Sequence, residues 1–408
     1  MATQDDTKQL RLAIIGGGLA GATLMNALTK YSHLDVRIYE SAPEFSERGA
    51  AVGLATNAQR ALEEISPEMG EALDKAGAGS GPDAGTIIFD LASENQGRVV
   101  HRAAFLNELL KPIPSSKMFT SKKLTKISTT SPDGEIILSF LDGTEEFVDA
   151  VIGADGIHGT VRECVLGAGH PALNPTFAGF WDCRALVPIA RAREVLGDEY
   201  FKEARQYAWS GDGGFFMHDV LDNGETVQCV ASVMTSSWDP SEWKRDLDRE
   251  MLEEAFKSWS NGPIASGMIN LLLENKELKA FPQWHFKENT PTYTKNRICI
   301  IGDAAHAMTP WQGSGAGQAI EDAMILQTLL QEVKNPQQIG AAFQAYDRVR
   351  RPRAQRIVES SQGTGRIICG REEGVRLDVE KLRGVLGSRW RFIYEIDLKK
   401  CKEEASGS

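Results

Sequence analysis

None of the six cysteines stands in a C-x-x-C pair. Cys164, Cys183, Cys229, Cys299, Cys369 and Cys401 are scattered over 408 residues without zinc-ligand spacing. No metal centre is signalled, and the thiols read as free in a reducing compartment, with a cytoplasmic location expected. Basic residues are also few. Lysine and arginine number 45 against 56 acids, a formal charge of −11. That balance argues against nucleic acid or an anionic membrane as main partner and reads as solubility. No uninterrupted apolar run is long enough to cross a bilayer. The first apolar stretch follows Asp5 and Asp6 rather than a basic segment, and it contains glycines, so it does not read as a signal peptide. Repeats and low-complexity tracts are missing too. What remains, 42% hydrophobic and 25% charged residues, is ordinary globular composition in a chain long enough for one large or two smaller domains.

The segment Leu12 to Glu40, LAIIGGGLAGATLMNALTKYSHLDVRIYE, carries most information. It reads as an apolar strand, a glycine turn, a helix, a polar loop and a second strand ending in an acid. Gly16, Gly18 and Gly21 make G-x-G-x-x-G, and Glu40 follows at the spacing of a ribose ligand. The first glycine permits the turn, the second lets backbone approach a pyrophosphate, and the third lets helix and strand pack closely. The helix N-terminus presents amides and positive dipole to phosphates. A Gly-rich turn alone can serve packing only; strand, helix and terminal acid together point to dinucleotide binding.

Further along, helical spacing covers Asn57 to Ile65, and His101 to Leu110 reads as a helix. A Gly- and Ser-rich stretch from Gly77 to Gly97 surrounds one apolar strand, Thr86 to Leu91. Lys122 to Val148 alternates in short strands around the turn Asp142-Gly143. From Phe177 to Lys287 the chain holds most of its tryptophans and recurrent short strands, with Asn223-Gly224 as a turn. This predicts an antiparallel sheet inserted in the nucleotide domain. Arg297 to Asp303 returns to a buried strand, Ala316 to Val333 carries one apolar helical stripe, and a further helix covers Ala341 to Arg350. Arg366 to Ser408 reads as a covering helix plus a loose tail.

Two more segments bear on a cofactor: VIGADGIHGTVRE, Val151 to Glu163, and GDAAHAMTPWQGSGAGQAIEDA, Gly302 to Ala323. In the second, a strand ends at Asp303, where a carboxylate can bind a polyol. Pro310 follows, and Gly313, Gly315 and Gly317 open a helix whose amides can hold an electron-rich ring edge. A packing-only reading of this glycine run stays open.

The three signals, in this order, resemble the GxGxxG, DG and GD motifs of the single-component flavin-dependent aromatic hydroxylases, the group of salicylate hydroxylase and p-hydroxybenzoate hydroxylase. HRAAFL, from His101, resembles that family's R-x-x-L segment, and YDRVRRPR, Tyr346 to Arg353, its segment near the end of the fold. The likeness covers about residues 10 to 360 and is nearest to salicylate hydroxylase and the fungal phenol-oxidising monooxygenases. It implies an α/β fold: a Rossmann-like FAD-binding domain, an inserted antiparallel-sheet substrate domain and a C-terminal helical region. The expected divisions are 8–80, 98–176 and 288–365 for FAD, 81–97 and 177–287 for substrate, and 366–408 for the C-terminal helix and tail.

Carried over by position, the resemblance gives Gly16, Gly18, Gly21 and Glu40 the ADP half of FAD. Arg102 approaches the cofactor, Asp155 and Gly156 belong to a motif tied to FAD and NAD(P)H, and Asp303 binds the ribityl chain or nearby phosphate. Pro310 lies beside the isoalloxazine, and Gly313, Gly315 and Ala316 offer amides to its pyrimidine edge. Arg48, Gly49 and Ala50 complete the expected cofactor set. FAD is expected to be non-covalent, with NADH or NADPH as co-substrate, the choice staying open because no second dinucleotide fold is present. His306 is read as structural.

The implied reaction is hydroxylation of a phenolic substrate, salicylate-like or a polyketide phenol, with molecular oxygen delivered through a flavin hydroperoxide. Arg184, in FWDCRALVP, is expected to hold a phenolate, with a salt bridge to Asp182 as the structural alternative. His218, in GGFFMHDV, is expected to bond the substrate oxygen or take its proton, with a satisfied structural histidine as the alternative. Trp311 replaces the histidine of a PHQG-like segment, which weighs against salicylate itself, and is expected to wall the substrate. Epoxidation of a non-aromatic ring and a redox-silent binding protein of the same fold are the competing readings. Monomer and homodimer both stay open.

Overall fold

β1 (Leu10–Ile15) is almost wholly apolar and buried, as a strand covered on both faces must be. The chain turns at Gly16 into α1 (Leu19–Thr29) and returns as β2 (Leu34–Tyr39), parallel to β1 from Leu10↔Leu34 to Ile15↔Tyr39. β3 (Ala51–Leu54), α2 (Thr56–Ile65), α3 (Pro67–Lys75), β4 (Gly79–Ser80), β5 (Arg98–His101) and α4 (Arg102–Leu110) follow, then the short strand β6 (Met118–Phe119). β7 (Leu124–Thr129), β8 (Ile136–Phe140) and β9 (Glu145–Val148) form a separate meander around the expected Asp142-Gly143 turn. β10 (Ala150–Gly153) then pairs parallel on the free side of β1. The computed structural model describes residues 9–46, 51–76, 79–80, 98–131, 134–202, 206–259 and 261–407. The strand expected at Thr86 to Leu91 lies outside them.

After α5 (Val161–Leu166) comes the second sheet. It is built from β11 (Thr176–Pro188), α6 (Ile189–Leu196), β12 (Tyr207–Gly211), β13 (Gly214–Leu221), β14 (Thr226–Met234), β15 (Arg245–Asp246), α7 (Arg249–Ala255), α8 (Pro263–Leu272) and β16 (Lys279–His285). Its strands run antiparallel in the order β12-β13-β14-β11-β16-β15. Side chains alternate between its faces. Trp181, Cys183, Ala185 and Val187 of β11 face outward and pack under the helices with Val227, Cys229, Ala231 and Val233 of β14. Phe180, Asp182 and Arg184 therefore face inward, toward the nucleotide domain.

The chain re-enters the first sheet through β17 (Thr294–Lys295) and β18 (Ile298–Ile300), giving the order β17-β18-β10-β1-β2-β6. α9 (Asp303–His306), α10 (Gly315–Leu330) and α11 (Pro336–Ile368) complete this half. The expected strand to Asp303 stops at Ile300, and Asp303 opens α9 instead. α11 differs more: expected to end at Arg350, it runs for 33 residues straight through Pro352. A proline inside a helix costs about 3 kcal/mol. Here Arg350 and Arg353 are anchored on either side of it, both to Glu321.

That anchor is a buried ionic cluster. Arg350 Nη1 donates to Glu321 Oε2 at 2.6 Å and its Nε to Asp322 Oδ1 at 2.8 Å. Arg353 grips both Glu321 oxygens, at 2.7 and 2.9 Å, and Asn57 Nδ2 donates to Oε1 at 2.8 Å. Burial pushes the Glu321 carboxyl up, but Arg350 and Arg353 outweigh it and bring it down to about 2.

The C-terminal region also departs from expectation. After α12 (Val379–Leu386) and α13 (Arg391–Tyr394), α14 (Leu398–Ser406) is no loose tail: Asp397 caps it, and Leu398 and Ala405 are buried against α10 and α11. Arg350→Ala would strand Glu321 and Asp322 as buried, under-compensated charges. It is expected to cost about 3–5 kcal/mol of unfolding free energy in urea titration. Glu321 contributes stability fully above pH 4.5, lost as pH falls from 4.5 toward 2; this acid limb should flatten in the variant.

Candidate functional site

The residues of the three motifs meet at one edge. In-register parallel pairing sets Tyr39, Ile15, Gly153 and Ile300 side by side at the carboxyl ends of β2, β1, β10 and β18. Glu40, the Gly16–Gly18 turn, Asp155 and Asp303 each follow one of these ends. β1 is where the strand order reverses, the position at which open parallel sheets bind ligands. α4 lies beside α1, with Asn26 Nδ2 donating to the Leu109 carbonyl at 2.7 Å. Arg102, half-buried, opens α4.

Within the glycine turn, Gly16 has φ +108°, and a Cβ there would fall 2.2 Å from the Ala154 carbonyl oxygen. The first glycine is thus required twice, by conformation and by the approach of β10. Gly18 caps α1 in extended conformation, and a Cβ on Gly21 would meet the Gly16 oxygen at 2.0 Å. Glu40 reaches back across the turn: Oε2 accepts from the Gly17 amide at 2.7 Å, and Oε1 from the Ala42 amide at 2.7 Å. Its carboxylate is fixed beside the turn by backbone donors. Asp155 Oδ2 accepts from the Val161 amide at 3.0 Å, which ties the Gly156 loop to α5. Burial pushes Asp155 up to about 6, and its Oδ1 is buried without a partner among the described residues.

Across the edge, Gly302 takes φ +57°, and a Cβ there would lie 2.8 Å from that of Ala20; the two motifs touch there. Asp303 is exposed, and its carboxylate makes no hydrogen bond to a described residue. Pro310 is exposed at the head of a 3-10 turn, Gly313 follows in left-handed conformation, and α10 begins at Gly315 with Ala316 half-buried and no side-chain cap. Trp311 turns inward, with its ring 4.9 Å from Phe180 and 5.5 Å from Phe215. It joins the nucleotide domain to the inner face of the second sheet. Arg48, Gly49 and Ala50 lie outside the described residues.

Arg184 and His218 part company. Arg184 is on the inner face, and its Nη2 donates to Asp182 Oδ2 at 2.8 Å, the salt bridge expected as its alternative. Its Nε and Nη1 make no hydrogen bond to a described residue. His218 must be corrected: it faces outward with Phe216, fully buried, away from Trp311. Its Nε2 lies 3.3 Å from the Tyr200 carbonyl, and its ring is 4.8 Å from Phe201 and 5.4 Å from Tyr207 and Trp209. Burial in this aromatic nest pushes it down to about 4, so it is a neutral structural histidine. Strand alternation gives the inner position to Asp219 instead, which accepts from Gln206 at 2.6 Å and Gln228 at 3.2 Å.

His306 sits 2.7 Å from Asp322 Oδ2, fully buried, in the structural place expected for it. Arg162 was not singled out. It is 1% exposed, donates to the carbonyls of Ala304 and Ala305 at 2.9 and 3.1 Å, and lies 3.5 Å over the Phe286 ring. It staples the second motif to the third with no carboxylate partner among the described residues, and burial lowers it to about 10. The only sequence signal was an arginine inside VIGADGIHGTVRE.

A profile of the FAD binding domain family matches residues 135–361. The chain is 37% identical over 421 residues to a 6-methylsalicylate 1-monooxygenase of Aspergillus terreus, covering 98% of this chain and 92% of the relative. It is 33% identical to a salicylate hydroxylase of Pseudomonas putida, over 97% of this chain and 94% of that one. A solved salicylate hydroxylase substrate complex superposes with a TM-score of 0.85 at 28% identity, covering 98% of both chains.

Gly16→Ala is expected to break the turn. The Cβ clash with Ala154 and the disfavoured φ together should cost about 1–3 kcal/mol and abolish cofactor retention on gel filtration. The checks are melting temperature and the visible absorbance of the purified protein.

Proposed function

The chain belongs to the FAD-dependent aromatic hydroxylases of the salicylate hydroxylase type, and on that premise we propose that its substrate is a small phenolic acid of the salicylate class. The enzyme is a flavoprotein monooxygenase that uses NAD(P)H and molecular oxygen to hydroxylate a phenolic ring. The observation that carries the substrate reading is the contact of Trp311 with Phe180 and Phe215, which sets an aromatic wall between the Pro310–Gly313 turn and the inner sheet face. A flat ring fits beside such a wall by offset or edge contact.

The residues present fit FAD. The Gly16–Gly18 turn has room for backbone alone at its first glycine, Asp155 keeps one buried oxygen without a partner among the described residues, and Asp303 presents at the same edge a carboxylate that bonds no described residue. Gly16, Gly18, Gly21, Glu40 and Arg102 would hold the adenosine and phosphate part. Asp303 would hold the polyol, and Pro310, Gly313, Gly315 and Ala316 the ring. When bound, FAD accepts a hydride from NAD(P)H and activates oxygen, one atom of which enters the ring while the other leaves as water.

The protein's own part is positioning. Arg184, whose Nε and Nη1 remain available beside the Asp182 pair, would hold a substrate oxygen in its ionised form and keep the ring electron-rich. Asp182 fixes the guanidinium plane. Trp311, Phe180 and Phe215 pack together at the inner face and would offer their edges to a bound ring.

Oxidation of NAD(P)H against a panel of phenols, with product mass, tests this reading; it fails if no phenol stimulates oxidation or gains an oxygen. Asp303→Ala is expected to weaken FAD binding by about 1.5–3 kcal/mol while leaving the melting temperature of the cofactor-free protein unchanged, as read by flavin fluorescence titration. In Arg184→Ala, bound flavin should persist while the ratio of product to NAD(P)H consumed falls. A loss of about 3 kcal/mol of transition-state stabilisation would slow hydroxylation roughly a hundredfold. Wild-type coupling in that variant would remove Arg184 from the site.

A further inference from the structure

Two side chains on the inner face of β16 have no hydrogen-bonding partner among the described residues. Gln283 is 6% exposed and His285 2% exposed. Both the oxygen and the nitrogen of the Gln283 amide, and both ring nitrogens of His285, are buried without a hydrogen bond. Buried polar groups left unmet are costly and rare, and four such atoms on two neighbouring inward positions call for a ligand. Their place in the fold says which. Phe281 pairs with Asp182, which sets Phe281, Gln283 and His285 on the inward side, while Trp284 packs outward on Phe177. Thr176 of β11 lies opposite His285, at the end of β11 that leads to Ala178 and Phe180, which cluster with Trp311. The next residue, Phe286, donates its amide to the Ala307 carbonyl at 3.1 Å, three residues before Pro310. The pair thus adjoins the segment that runs into the Pro310–Gly313 turn.

We propose that Gln283 and His285 are the specificity residues that receive the hydroxyl and the adjacent carboxylate of an ortho-hydroxy aromatic acid. This rests on the phenolic-acid reading above and says which atoms of the substrate are read. The pair offers the donors and acceptors such a group needs. The amide nitrogen and one imidazole N–H donate to the carboxylate, while the amide oxygen or the second imidazole nitrogen accepts from the hydroxyl. Burial and the nearby Lys287 charge push His285 down to about 4, so the imidazole is neutral and keeps one donor and one acceptor. The ring oxygen thereby falls to Gln283 and His285 in place of Arg184, which lies two residues past the Asp182–Phe281 pair, on the side away from His285; a fall in coupling in Arg184→Ala with no loss in the Gln283 and His285 variants would return that oxygen to Arg184.

Gln283→Leu and His285→Phe in the FAD-loaded protein test this, with salicylate, benzoate and phenol as probes and binding read from the change in flavin absorbance. Wild-type protein is expected to bind salicylate, used as the simplest ortho-hydroxy acid rather than as the natural substrate, more tightly than benzoate or phenol. Each variant should lose about tenfold to a hundredfold in salicylate affinity and most of that preference. Flavin content should hold, and melting temperature without substrate should hold or rise, because unmet polar atoms have been removed. Should the leucine variant fail to fold, Gln283→Met, close to it in shape, is read in the same way. Variants that keep wild-type affinity and preference overturn the inference and leave the phenolic reading intact. Loss of flavin instead of substrate overturns it by assigning the pair to the cofactor. Wild-type protein that binds phenol but not salicylate overturns the ortho-acid assignment, and no binding of any probe with no phenol-stimulated NAD(P)H oxidation overturns both.

Discussion

Asp322 holds three elements of the cofactor side at once. Its Oδ2 accepts from the Gly302 amide at 3.0 Å and lies 2.7 Å from His306 Nε2, while its Oδ1 accepts from Arg350 Nε at 2.8 Å. The turn that carries Asp303, the short helix after it and the long α11 are thereby fixed to α10. The charge is wholly buried and survives because Arg350 and the histidine compensate it. Glu321, one residue earlier, does the same for α2 through Asn57 and for α13 through Arg353, whose Nη atoms also donate to the Phe392 and Ile393 carbonyls. Such a cluster is no cheap source of stability, since apolar residues of equal volume often stabilise as well. What it supplies is definition: each bond admits one register of one helix.

The second organising constraint is strand alternation. One residue's shift along β13 separates His218, sealed among Phe201, Tyr207 and Trp209, from Asp219 on the inner face. Along β11 the same rule gives the helices Trp181 and Cys183 and gives the inner face Phe180, Asp182 and Arg184. The outer face is a closed apolar core. The inner face mixes aromatic side chains with polar groups, several of them unmet among the described residues.

How far the site was legible depends on the range of the interactions. The GxGxxG turn, α1, β2 and Glu40 lie within thirty residues and are dictated by local steric needs, and Gly16 illustrates this in its positive φ. Glu40 was legible as the acid after β2, yet its bonds to the Gly17 and Ala42 amides were not. Arg162 and the Gln283–His285 pair were not legible either. A buried arginine satisfied by carbonyls looks in sequence like any charged residue, and an unmet histidine looks like a satisfied one. The passage of α11 through Pro352 was hidden for the same reason: local propensity opposed it, and pairs to Glu321, some thirty residues away, reversed the outcome.

The sequence by itself determined the elements of the nucleotide half and the order of its motifs, because glycine placement, strand apolarity and helix periodicity act over a few residues. It determined the presence of an antiparallel sheet in the middle. Only the tertiary structure decided which side of that sheet each polar residue serves, since a slip of one position exchanges the faces. Only packing, too, decided that the C-terminal segment docks as α14 and that Asp322, rather than any residue of the glycine motifs, ties them together. Those outcomes rest on contacts between residues distant in the chain, whose worth depends on burial that no local pattern encodes.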